Sequence, residues 1–132
     1  MTSIQRKVDR IMMTAKEIAE QVVQTLDGKM ALDLKLLRTT DVTVLADYFV
    51  ICTARSTTQI KTLADAVEAD LESRGEQKLH REGYRSGSWV LLDFGCVVVH
   101  IFMEEARKFY NLERLWADAE EIDLSALLSP GE

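Results

Sequence analysis

Apolar residues recur along this chain with two different periods. Ile18, Ala19, Val22 and Leu26 fall on one helical stripe behind Thr14-Ala-Lys-Glu17. That tetrapeptide has the form of a capping box, in which the Thr hydroxyl and the Glu carboxylate accept N–H groups that lack an intrahelical partner. A helix is predicted over 15–26, with Gly28 as its stop. Ile60, Leu63, Ala64, Val67 and Leu71 keep the i, i+3, i+4, i+7, i+11 spacing of a second helix over 56–74. Ser56-Thr-Thr-Gln59 repeats the capping-box form, and Gly75 sits where a glycine commonly ends a helix.

The other period is two. In "ALDLKLL" (31–37), Leu32, Leu34 and Leu36 alternate with Asp33 and Lys35, the mark of a half-buried strand. "DYFVICTA" (47–54) is nearly all apolar and rich in strand formers, which predicts a central strand buried on both faces. "QKLHR" (77–81) predicts a short strand. "WVLLD" and "CVVVHIFM" flank Phe94-Gly95 and predict a hairpin. The order α-β-β-α-β-β-β-α implies an α/β class fold, a mixed sheet with helices packed on it.

With Phe94-Gly95 as the turn, Leu91 opposes Val98 and Trp89 opposes His100. Trp89, Leu91, Val98 and His100 then share one face, and Val90, Leu92, Val97, Val99 and Ile101 the other. Both faces are apolar, and the 56–74 helix covers only one. The second is left to the first helix, the C-terminal segment or a partner. That segment, "RKFYNLERLWADAEEID" (107–123), places Phe109, Leu112, Leu115, Trp116 and Ala119 on one stripe, expected to be core. Tyr110 falls off the stripe, among acids. A helix start at Asn111 would put it on a corner, still poorly placed for a core.

One domain is expected, at 13–122, with an N-terminal arm at 1–12 and a C-terminal tail at 123–132. The length of 132 residues suits a single core, and 47% hydrophobic with 29% charged residues is ordinary for a globular chain. The net charge of −6 disfavours sequence-specific nucleic acid as a partner and favours a basic protein surface. Residues 104–123 carry seven acids against three bases, most of that charge. No apolar run reaches the ~18 residues that span a bilayer, and the N-terminus lacks the apolar stretch of a signal peptide. Cys52 and Cys96 sit in apolar runs and are expected to be free thiols in a reducing cytoplasm.

Catalytic chemistry finds little to work with. The loop in "FVICTARSTTQI" has no glycine to cradle a phosphate. Asp33 has Lys35, not an acid, two positions on, and Asp93 stands alone, so no carboxylate pair is set to hold Mg²⁺. Cys96 and His100 lie four residues apart on one strand, ~13 Å, where ligands of one zinc sit ~4 Å apart. No catalytic residue, metal or cofactor is expected. Trp89 and Tyr110 remain as the rings that packing does not clearly claim.

Three stretches in combination, "DYFVICTARSTTQIKTLADAVE", the "EGYRSGSWVLLDFGCVVVHIFM" core and the "RKFYNLERLW" close, resemble the ribosomal silencing factor (RsfS or Iojap-like) family. The likeness spans roughly residues 13–118. It implies a non-catalytic protein with a nucleotidyltransferase-like fold that lacks the catalytic carboxylates. It implies binding to the large ribosomal subunit through large-subunit ribosomal protein fourteen, which blocks joining of the small subunit. Crystallised relatives are often homodimers. By motif position the resemblance makes Trp89 and Tyr110 the main partner contacts, with Leu91, Val98, Met103 and Arg107 around them. Cys96 stands where the family commonly has an acid, and Ala54-Arg55 where a glycine is usual. The alternatives are a degenerate nucleotidyltransferase-like enzyme and a structural homodimer without a ribosomal role.

Overall fold

The computed structural model describes residues 13–128. The arm expected over 1–12 and the last four residues of the expected tail lie outside the described residues. The chain runs α1 (Ala15–Gly28), β1 (Leu32–Arg38), β2 (Tyr48–Ala54), α2 (Thr57–Ser73), β3 (His80–Glu82), β4 (Trp89–Asp93), β5 (Val97–Met103), α3 (Glu104–Tyr110), α4 (Leu112–Leu115) and β6 (Glu120–Glu121). The six strands form one sheet in the order β3-β4-β5-β2-β1-β6. Among the described residues only the central β2–β5 pair is parallel; the other pairings are antiparallel.

Both long helices start as the sequence predicts. Thr14 Oγ1 accepts the Glu17 N–H at 3.0 Å, and Glu17 Oε1 accepts the Thr14 N–H at 2.8 Å. At α2 only half of the expected box forms: Ser56 Oγ accepts the Gln59 N–H at 3.0 Å. Gln59 does not return the bond to Ser56. Its Oε1 accepts the Arg55 N–H, and its Nε2 donates to the carbonyls of Lys29 and Met30. The amide thereby ties the start of α2 to the loop that leaves α1.

Leu63, Ala64, Val67 and Leu71 of α2, and Ile18, Ala19, Val22 and Leu26 of α1, enter one core with Val50, Cys52, Val90, Leu92, Val97, Val99 and Ile101. Both helices thus cover the same face of the sheet, and α1 does not share out to the second face. Ile122, Leu124, Leu127 and Leu128 join this core from the C-terminal side, and Leu124 is itself buried.

The hairpin faces are as predicted, but the register is displaced by two residues. Trp89 pairs with Phe102, Leu91 with His100 and Asp93 with Val98. The connection is longer than a two-residue turn. Asp93 Oδ1 accepts the Gly95 N–H at 2.7 Å, the Phe94 N–H donates to the Val97 carbonyl at 2.9 Å, and Gly95 takes the left-handed backbone at φ 88°. A slip of two preserves the faces because side chains alternate with period two.

In β1, Asp33 takes φ 49° and the pairing with β2 shifts between Leu32 and Lys35. The bulge interrupts the pairing, yet Leu34 and Leu36 stay on the helix side, and Leu37 faces the other because successive strand residues alternate. The acidic run contributes the edge strand β6, paired with Leu37 and Arg38, where no strand is predicted.

The helix-side core makes a direct stability prediction. Leu63 is fully buried, so Leu63→Ala should cost about 2–5 kcal/mol by the apolar contact it removes and the cavity it leaves. Urea denaturation of the purified variant measures it.

Candidate protein-docking site

The second face of the sheet carries Leu37, Phe49, Ile51, Val98 and Phe102, with Trp89 and Leu91 half-buried beside them. Its cover comes from the short corner of α3 and α4, through Ala106, Leu112 and Trp116, and from Ala119 beyond it. Asn111 makes the corner. It takes φ 47° and ψ 57°, and its side chain makes no capping bond. The helix therefore breaks by backbone conformation, which an Asn tolerates better than most residues. The break ends the predicted stripe: Phe109 is 81% exposed and Leu115 70%, so neither is core. Tyr110 is 49% exposed at the corner, off the stripe as predicted.

The rings form a connected belt. Trp116 meets Phe49 edge-on at 5.3 Å between centroids, and Phe49 meets His100 at 5.1 Å. Trp89 stacks on Phe102 at 4.9 Å and lies 4.6 Å from Tyr110, which in turn meets Phe109 edge-on at 5.0 Å. The Trp89 indole N–H donates to His100 Nδ1 at 3.3 Å. That bond fixes the indole as well as the stacking does, and it leaves the proton of the neutral imidazole on Nε2. His100 Nε2 is buried and has no hydrogen-bond partner among the described residues. Burial lowers the His100 pKa from 6.5 to about 4, so the ring is neutral at physiological pH.

Arg107 holds the corner to the sheet. Its guanidinium binds Glu113 of α4 with both Nε and Nη2, at 3.1 and 3.2 Å. Nη1 donates to the carbonyl of Asp33, in the β1 bulge, at 2.7 Å and to Thr53 Oγ1 of β2 at 2.8 Å. Lys35 Nζ reaches the same Glu113 at 3.0 Å. Arg107 foremost, with Lys35, holds the Glu113 carboxyl below its ordinary pKa.

The six residues expected at the partner surface therefore divide. Trp89, Leu91 and Val98 share the second face and Tyr110 joins them, with Val98 buried beneath. Met103 packs on the helix-side core, on the opposite face. Arg107 is only 9% exposed and its charge is committed inside the chain, so it positions the corner rather than presenting itself. Phe109 and Leu115 are exposed apolar residues here that the periodicity assigns to the core; only the backbone break at Asn111 reveals them.

A polar groove of about 670 Å³ opens beside Arg107, but its cations are engaged, Lys35 and Arg107 with Glu113 and Lys108 with Glu104. Among the described residues no group of three or more His, Cys, Asp and Glu could hold a metal. Burial pushes the Cys52 thiol up to about 12, against the pull of Arg107, so it is not a thiolate. No helix among the described residues is long and apolar enough to cross a membrane.

Comparison with known proteins supplies the family. The family model described as ribosomal silencing factor during starvation matches residues 12–131. The chain belongs to the ribosomal silencing factor family. It is 38% identical over 112 residues to the ribosomal silencing factor RsfS of Bacillus subtilis, covering 85% of this chain and 95% of that one. A crystal structure of a Chromobacterium violaceum protein superposes with a TM-score of 0.78 at 34% identity, covering 80% of this chain and 88% of that one. A mouse protein named for mitochondrial assembly of the ribosomal large subunit is 29% identical over 105 residues, 77% of this chain and 46% of its own. The family and the mixed α/β fold are those expected from the sequence motifs.

In this ribosomal silencing factor family member, His100 makes the second face pH-sensitive. Its folded pKa lies below the unfolded one, so the unfolded chain takes up the proton first. The contribution is complete above about pH 6.5 and is lost as pH falls toward 4, roughly 3 kcal/mol in all. His100→Phe removes that dependence and keeps an aromatic ring. Unfolding free energies of both proteins from pH 7 to 4.5 should show the wild type falling more steeply. Carboxylate contributions, Glu113 included, cancel in the difference.

Proposed function

We propose that this protein represses translation by docking on the large ribosomal subunit, through large-subunit ribosomal protein fourteen, and so blocking the small subunit from joining. The docking surface is the second face of the sheet, with Trp89 and Tyr110 at its centre and Leu91 beside them. The observation that carries this reading is the Trp89–Tyr110 pair, 4.6 Å apart, in which Tyr110 is 49% exposed and Trp89 is only partly buried. Aromatic rings with one buried edge and one open edge are the usual anchors of protein interfaces. The family membership and the name of the mouse relative point the same way.

Charge supports a basic partner. Glu104, Glu105, Asp118, Glu120 and Glu121 surround the corner on α3, after α4 and on β6, and all are exposed. A positive protein surface is drawn to such a rim, and the rim adds more to the rate of encounter than to the depth of binding. The mechanism needs no catalysis: a folded domain seated on the face that meets the small subunit prevents joining by its volume.

Two measurements test this. In co-sedimentation with separated ribosomal subunits, Tyr110→Ala should lose about thirty-fold in affinity, near 2 kcal/mol, with little change in melting temperature. Trp89→Ala should lose at least as much binding, with a partial fall in melting temperature because its ring also stacks on Phe102. Full affinity and full inhibition of subunit joining by Tyr110→Ala would move the docking surface elsewhere. A fall in binding matched by loss of self-association would instead make this face a homodimer interface. The association rate should also fall as salt rises, since exposed charges are screened over ~10 Å at 0.1 M; a rate indifferent to salt removes steering from the mechanism.

A further inference from the structure

A recess of about 220 Å³ opens beside the docking rings. Trp89, Leu91 and Tyr110 wall it, and Glu82, Gly83, Ser86 and Ser88 complete it. Its shape depends on Gly83. That residue has φ 80°, and a Cβ there would lie 1.8 Å from the Trp89 carbonyl oxygen, so the loop approaches β4 more closely than any side chain allows. The Ser86 hydroxyl donates to the Gly83 carbonyl and closes the same turn. Among the described residues Glu82 is the only charged residue in the lining, and its side chain is 65% exposed.

We propose that this recess receives an arginine side chain of the docked protein partner, its guanidinium against the Trp89 and Tyr110 rings and paired with the Glu82 carboxylate. The inference rests on the docking reading above and names what enters that surface. An apolar insert would strip water from Glu82 and give it nothing in return. An anion would meet both the carboxylate and the negative ring faces. A guanidinium satisfies both at once, since ring faces attract cations and a carboxylate accepts charge-assisted bonds.

Glu82 keeps capacity for this. Its Oε2 bonds the His80 Nε2, and a carboxylate has about four acceptor positions. The chain already builds the same combination within itself. The Arg81 guanidinium carbon lies 4.1 Å from the Tyr84 ring centroid while its Nη1 binds Glu68 at 2.9 Å. There the cation is supplied internally. At the Trp89 recess, no Lys or Arg lines the wall.

The experiment has two arms. First, the intact chain is titrated with N-acetyl-arginine amide and, separately, with the neutral isostere N-acetyl-citrulline amide, while the Trp89 indole N–H is followed by NMR. The arginine probe should shift that resonance saturably, the citrulline probe should not, and Glu82→Gln should weaken the arginine response several-fold. Equal responses to the two probes overturn the proposal. Second, large-subunit affinity is measured for Glu82→Gln, a substitution at an exposed side chain whose melting temperature should match the wild type. A roughly fivefold loss, larger at low salt, is expected. Unchanged affinity in Glu82→Gln alongside a large loss in Trp89→Ala would leave the docking surface standing and empty the recess of its cation. Unchanged affinity in Trp89→Ala and Tyr110→Ala as well would remove the docking reading itself, and the proposal with it.

Discussion

A sheet whose central strands are apolar on both sides must be covered twice. β2 and β5 are that centre here, and they run parallel, so the chain has to cross the sheet between them. The crossover carries α2, and α1 lies beside it on the same face. Two long helices are therefore spent on one side. What remains for the other side is a corner of seven and four residues in α3 and α4. So short a cover leaves Phe102 buried but Trp89 and Leu91 only partly covered. The open aromatic surface follows from how the helices were distributed, and it is the surface proposed to meet the ribosome.

A short corner needs a clamp, and Arg107 supplies one. A single guanidinium ties α3 to α4 through Glu113, to the β1 bulge through the Asp33 carbonyl, and to β2 through Thr53. The bulge matters as much as the arginine, because Asp33 at φ 49° is the residue whose carbonyl accepts the bond. A lysine in place of Arg107 would lack the planar fork that engages a carboxylate with two nitrogens while reaching two more acceptors. Tyr110 lies three residues beyond this anchor, so its ring is presented by a corner held in place rather than by a loose end.

Trp89 is restrained in a different way. Phe102 stacks under it and the His100 imidazole accepts its N–H. A ring already ordered in the free protein loses little conformational freedom on binding, which favours affinity. The cost is borne by His100, which stays neutral and leaves Nε2 without a hydrogen-bond partner among the described residues. A buried polar atom of that kind costs stability, and here it belongs to the ring that accepts the Trp89 N–H.

The one-dimensional pattern determined a good deal by itself. The two long helices, the double-faced central strand and the faces of the hairpin follow from periods of 3.6 and 2, and periodicity survives a slip of two residues in register. The identity of Tyr110 as an off-stripe ring, and the motifs that mark the silencing factor family, are equally local. What the sequence left open or misassigned depends on long-range geometry. Whether α1 covers the first or the second face is decided by how it packs beside α2, which no local pattern encodes. The exposure of Phe109 and Leu115 turns on one backbone angle at Asn111. The burial of Arg107 requires partners 74 and 54 positions away, at Asp33 and Thr53. Met103 separates from Trp89 because successive side chains of a strand point to opposite faces, and only the assembled sheet decides which face stays open.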